Sequence, residues 1–114
     1  MTTSKISIIK GDDTTLFFTF TENGAALNLT GYKVYFTVKK ELDDTDSEAV
    51  IKKDWTSHID PANGKTQIKL TKTETDVTPG QYVWDLQIKS SLGDIASSQY
   101  GECEVIQDVT IRTD

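Results

Sequence analysis

The chain is 114 residues long, and 18 acidic against 12 basic residues leave it with a net charge of −6. Its lysines are scattered and Arg112 is its one arginine, so it lacks the basic stripe of a duplex-binding surface; nucleic acid and anionic membrane are not expected as partners. A single cysteine, Cys103, rules out an intrachain disulfide, and no apolar run reaches the length of a membrane span or a secretory signal.

Such a length fits one domain, taken as residues 1–114, folded in a reducing cytoplasm. Only 36% of the residues are apolar, so each element must place them on one face. The dominant period is two. "KISII" puts Ile6 and Ile8 on one side. "TLFFTFT" puts Leu16, Phe18 and Phe20 on one side and Phe17 on the other. "YKVYFTVKK" alternates Tyr32, Val34, Phe36 and Val38 with Lys33, Tyr35, Thr37 and Lys39. Between 39 and 49 lies an acidic stretch, "KKELDDTDSEA". "VIKKD" (50–54) then reads as a short edge strand whose Lys52 and Lys53 discourage edge-to-edge pairing. "TQIKL" supplies Ile68 and Leu70. "TKTETD" (71–76) opens like a capping box and predicts one short turn of helix. "TPGQYVWDLQI" (78–88) sends Tyr82, Trp84, Leu86 and Ile88 to one face. "YGECEVIQDVTIR" (100–112) closes the chain with Cys103 and Val105 inward.

Turn signals at 10–13, 22–25, 29–32, 60–65, 78–81 and 91–94 separate these runs. The pattern predicts an all-β, immunoglobulin-like antiparallel β-sandwich of about seven to eight strands with one short helical turn. Its expected core is Phe18, Val34, Phe36, Tyr82, Trp84 and Leu86. A tyrosine soon after a Pro-Gly corner suits the tyrosine corner of such sandwiches, its hydroxyl bonding to upstream backbone. Trp84 then stands where antibody domains place their second disulfide cysteine. It is read as a core plug, with a ligand platform as the alternative for both aromatics. Cys103 is read as a buried small hydrophobe.

No constellation predicts catalysis. His58 lies near Ser57 and Asp60, but a triad is a spatial arrangement, and neighbours in an extended chain point apart. Asp43, Asp44, Asp46 and Glu48 form a weak calcium candidate that lacks the glycine and late glutamate of a calcium loop. One Cys and one His do not make a zinc site, and the glycines lie singly in turns, so no cofactor is expected. Trp55 falls outside clean alternation. It reads as a lid on the sandwich or as a contact residue. Val109 and Ile111 continue the last strand beyond the usual length. They either finish that strand or pair with a neighbouring protein.

The order of the pieces carries a resemblance. "GDDTTLFFTFTENGAALNLTGYKVYFTVKK", "AVIKK", "IDPANGKTQIKLTKTETDVTPGQYVWDLQI" and "DVTIRT" resemble the immunoglobulin-like N-terminal domain of siphophage upper-baseplate proteins and related phage tail modules, from about Ile6 to Thr113. The resemblance implies a non-enzymatic docking or spacer role in the virion of a tailed phage or prophage. Other virion proteins are the implied partners, with a homo-oligomer or ring assembly, after synthesis in the host cytoplasm. A carbohydrate-binding or host-adhesion module is the competing reading, resting on Trp55, Tyr35 and the acidic loop.

Overall fold

The computed structural model describes residues 2–41 and 48–107. Among these residues nine strands run in chain order: β1 (Thr2–Ile9), β2 (Thr14–Thr19), β3 (Thr21–Glu22), β4 (Ala25–Ala26), β5 (Lys33–Lys39), β6 (Ile51–Trp55), β7 (Lys65–Leu70), β8 (Gly80–Lys89) and β9 (Ile95–Ile106). The large sheet has the order β1-β9-β8-β5-β6, while β2 and β7 form a second sheet of two strands. The sheets pack face to face as an immunoglobulin-like sandwich. β5 follows the alternation expected of it, with Val34, Phe36 and Val38 buried, and so does β8, with Tyr82, Trp84, Leu86 and Ile88 buried. Phe18 of β2, Phe20 just after it, and Ile68 and Leu70 of β7 close the core from the other side.

One strand pair departs from the antiparallel expectation. β1 runs parallel to β9, in a register from Thr2 beside Gln99 to Ile9 beside Ile106. The pairing puts Ile8 on the inner face with Val105, and Ile6 beside buried Cys103. β9 is also longer than its alternation suggested. Its first residues, from Ile95, pair with the end of β8 across a register shift between Leu86 and Gln87.

The turns follow their residues. Asn23 and Gly24, at φ 53° and 81°, link β3 to β4 with the positive φ values that a two-residue hairpin of matching twist requires. Gly64 has a tighter demand. A Cβ there would lie 2.3 Å from the Phe20 carbonyl oxygen, so the backbones of two segments meet where only glycine fits. The short 3-10 helix lies at Pro61–Asn63, within a run read as a turn. Residues 71–76 make a single capped turn. The Thr75 N–H reaches the Thr71 carbonyl at 3.0 Å, the Glu74 N–H reaches Thr71 Oγ1 at 3.3 Å, and the Thr71 N–H reaches Glu74 Oε1 at 3.0 Å. That reciprocal pair is the capping box read from the sequence.

Candidate functional site

The centre of the sandwich is an aromatic trio. Phe18, Phe36 and Trp84 come from three strands, and their ring centroids lie 6.0, 6.0 and 6.1 Å apart at tilts of 36–44°. This is the spacing and tilt that aromatic quadrupoles favour. Trp84 is 3% exposed, so it is core and not a platform. Antibody domains pin their sheets here with a disulfide and a tryptophan. In this chain the contact of Phe18 with Trp84 spans the sheets instead. Tyr82, one turn of the pleat earlier, donates its hydroxyl to the Thr78 carbonyl at 2.5 Å and forms the corner. Lys40 covers its ring, with Nζ 4.9 Å from the centroid. Cys103 is wholly buried, and that burial pushes its thiol up to about 11, so it is not a reactive thiolate.

A polar chain joins the sheets at the rim where β6 faces β7. Trp55 is half-buried and donates Nε1–H to Thr66 Oγ1 at 2.7 Å. His58 lies 2.9 Å from the same hydroxyl through Nδ1 and 2.9 Å from the Tyr32 carbonyl through Nε2. A carbonyl can only accept, so Nε2 carries the hydrogen and Nδ1 accepts from the Thr66 hydroxyl. Every group has one role: indole to hydroxyl, hydroxyl to imidazole, imidazole to backbone. His58 is thus engaged at both nitrogens, and the neighbouring Ser57 and Asp60 share in none of these bonds. Lys53 reinforces the same rim. Its Nζ contacts the Lys69 carbonyl at 2.8 Å and Glu74 Oε1 at 2.7 Å. The hydrogen bond from Lys53 and the backbone N–H of Thr71 hold the Glu74 carboxyl below its ordinary range.

Two surface depressions lie among the described residues. An open groove of about 420 Å³ runs over the outer face of the large sheet, floored by Tyr35, Thr37, Asp85 and Gln87. Tyr35 sits there beneath Lys33, whose ammonium is 5.2 Å from the ring centroid and 2.9 Å from Asp54; the bond to Asp54 raises its pKa. A second depression of about 440 Å³ lies along the β6–β7 rim beside Trp55, His58 and Ile59. Tyr35 and Trp55 therefore occupy different faces: Trp55 is the cross-strand partner of inward Val34, and Tyr35 is the partner of outward Asp54. They do not form one glycan platform. Of the acidic candidates, Asp43, Asp44 and Asp46 lie outside the described residues, as do Val109 and Ile111; Glu48 is exposed. The rim chain was not foreseen, because it joins residues from separate strands and loops. Only the pairing of a lone His with a nearby Trp hinted at it.

The sequence profile of the BppU N-terminal domain, that of the baseplate upper protein, matches residues 2–99. Among solved structures, the N-terminal domain of phage TP901-1 ORF48 is similar at a TM-score of 0.61 and 12% identity, covering 90% of this chain and 84% of that one. At that identity the likeness is one of fold. The PmoD soluble domain from Methylocystis sp. reaches a TM-score of 0.48 at 9% identity, over 88% of this chain and 77% of that one, too low to carry an argument. None of the curated proteins matches the chain.

Proposed function

This chain belongs to the BppU N-terminal domain family, and on that premise we propose that it is a non-enzymatic docking module in the virion of a tailed phage or prophage. The family is a structural domain of phage baseplates. The carrying observation is the family match over residues 2–99 together with the shared sandwich. The site chemistry agrees with it. The lone histidine is held by a hydroxyl and a carbonyl, and the thiol is buried, so both of these side chains serve the fold. One core shared by both sheets supports reading residues 1–114 as a single domain.

Its partners are other virion proteins, met in an oligomer or ring, and its destination is the particle after synthesis in the host cytoplasm. Mass spectrometry of purified particles tests this. The protein is expected at a fixed ratio to the other tail components. Its absence from washed, infectious particles would remove the proposal.

A further inference from the structure

We propose that the outer edge of β2 is a pairing surface for a second copy of this chain, joined antiparallel about a two-fold axis. Strand alternation identifies the groups involved. The Phe20 N–H bonds to the Gly64 carbonyl at 2.8 Å, so the even-numbered residues of β2 turn their main-chain groups toward β7. Thr15, Phe17 and Thr19 therefore turn theirs away. The Thr19 carbonyl confirms the direction, for it accepts Gln99 Nε2 from the opposite side at 3.0 Å. Among the described residues, no strand lies beside this edge, and nothing bonds the N–H or C=O of Thr15 or Phe17.

The other outer edges are guarded. β6 carries Lys52, Lys53 and Asp54. The outward carbonyl of Lys69 on β7 is capped by Lys53. β1 carries Lys5, paired with Glu104 at 3.3 Å. β2, "TTLFFT", has no charge and no proline, and its Phe17 is 68% exposed. A neutral, β-prone edge of this kind is a template for strand addition.

The occupant follows from charge and symmetry. A chain of net charge −6 repels its own copy, least where the facing surfaces carry no charge and salt screens the rest. β2 is such a strip, and it offers no charge of either sign by which a foreign partner would be selected. An antiparallel pair of identical strands is self-complementary and closes after two copies. The register that uses only free groups sets Thr15 opposite Phe17 of the second copy, and Phe17 opposite its Thr15. It makes four main-chain hydrogen bonds and places each phenyl ring beside a β-branched residue. Lys65 and Lys69 stand on β7, at least about 14 Å from their counterparts across three strand spacings. That exceeds the screening length of about 8 Å in physiological salt.

This pairing does not depend on where the protein is found, so its test is separate from that of the virion reading. Sedimentation velocity of the 114-residue chain is run up to millimolar concentration, because strand addition gives less contact than a standard interface of about 1,600 Å². Wild type is expected to shift toward dimer with concentration. Thr15→Pro deletes an outward N–H in each copy, a change tolerated at a sheet edge, and is expected to weaken the dimer roughly tenfold or more. Phe17→Lys places ammonium groups in the neutral strip and is expected to abolish dimerisation; its side chain faces solvent, so its melting point stays near wild type. A chain that remains monomeric, or a dimer indifferent to both substitutions, would overturn the proposal. So would capture of a foreign strand at this edge with no self-association.

Discussion

The two tryptophans show two ways of joining the same pair of sheets. Trp84 works through its faces: it is 3% exposed and touches Phe18 and Phe36 at ring spacings near 6 Å. Trp55 sits at the rim and works through its edge, handing a hydrogen to Thr66, which hands one to His58. The centre is held by apolar area, which is non-directional and tolerant of small shifts. The rim is held by groups that must each find one partner, because an unpaired polar group there is costly. Replacing the immunoglobulin disulfide with an aromatic trio suits a chain whose one cysteine is buried. The directional rim then fixes how the two sheets sit on each other.

Breaking the centre should have the largest effect. Trp84→Ala removes the indole that two sheets share and is expected to cost about 3–5 kcal/mol, read as a lower melting midpoint or as failure to fold. A mutant melting like wild type would show that Phe18 and Phe36 alone span the gap. Breaking the rim comes next. Thr66→Val keeps the shape of the side chain but removes the hydroxyl, leaving the Trp55 N–H and His58 Nδ1 without their shared partner. The expected cost is about 1–3 kcal/mol. Adding Trp55→Phe to it should cost less than the sum of the two changes, since both remove the same bond. Strict additivity would mean the chain from indole to imidazole is not a unit.

The centre was legible in the sequence and the rim was not, for a physical reason. A period of two states which face of a strand is buried, so Phe18, Val34, Phe36, Trp84 and Leu86 could be placed from their neighbours alone. A Pro-Gly followed by Tyr82, and a Thr three residues before Glu74, are local motifs whose bonds close within four residues. The rim joins Trp55, His58, Thr66 and Tyr32 from separate segments, and no period encodes that. Alternation also leaves open which strand lies beside which. "KISII" reads the same whether its neighbour runs parallel or antiparallel, and the pairing of β1 with β9 spans nearly the whole chain. The opening of β9 was missed because its small and polar residues lack alternation. Its place is set by the ladder from β8. Phe17 falls on the outward face by alternation, and its full significance needs the strand order, in which no strand among the described residues lies beside that edge.

The smallest expected effect sharpens the comparison, because one residue combines both modes. Tyr82 is 6% exposed, packs its ring with the core like Trp84, and spends its hydroxyl on one directional bond like Trp55. Tyr82→Phe separates the two. The ring stays and keeps its packing, along with the Lys40 ammonium above it. Only the bond to the Thr78 carbonyl is lost, at an expected cost of roughly 0.5–1.5 kcal/mol. In urea the midpoint should fall while the slope of the transition holds, because the surface exposed on unfolding is unchanged. An unchanged midpoint would mean that water replaces the tyrosine at Thr78, and that the corner, like an exposed turn, is already solvated. A loss approaching that of Trp84→Ala would mean the opposite: the hydroxyl fixes the entry of β8 so firmly that the aromatic centre cannot pack without it.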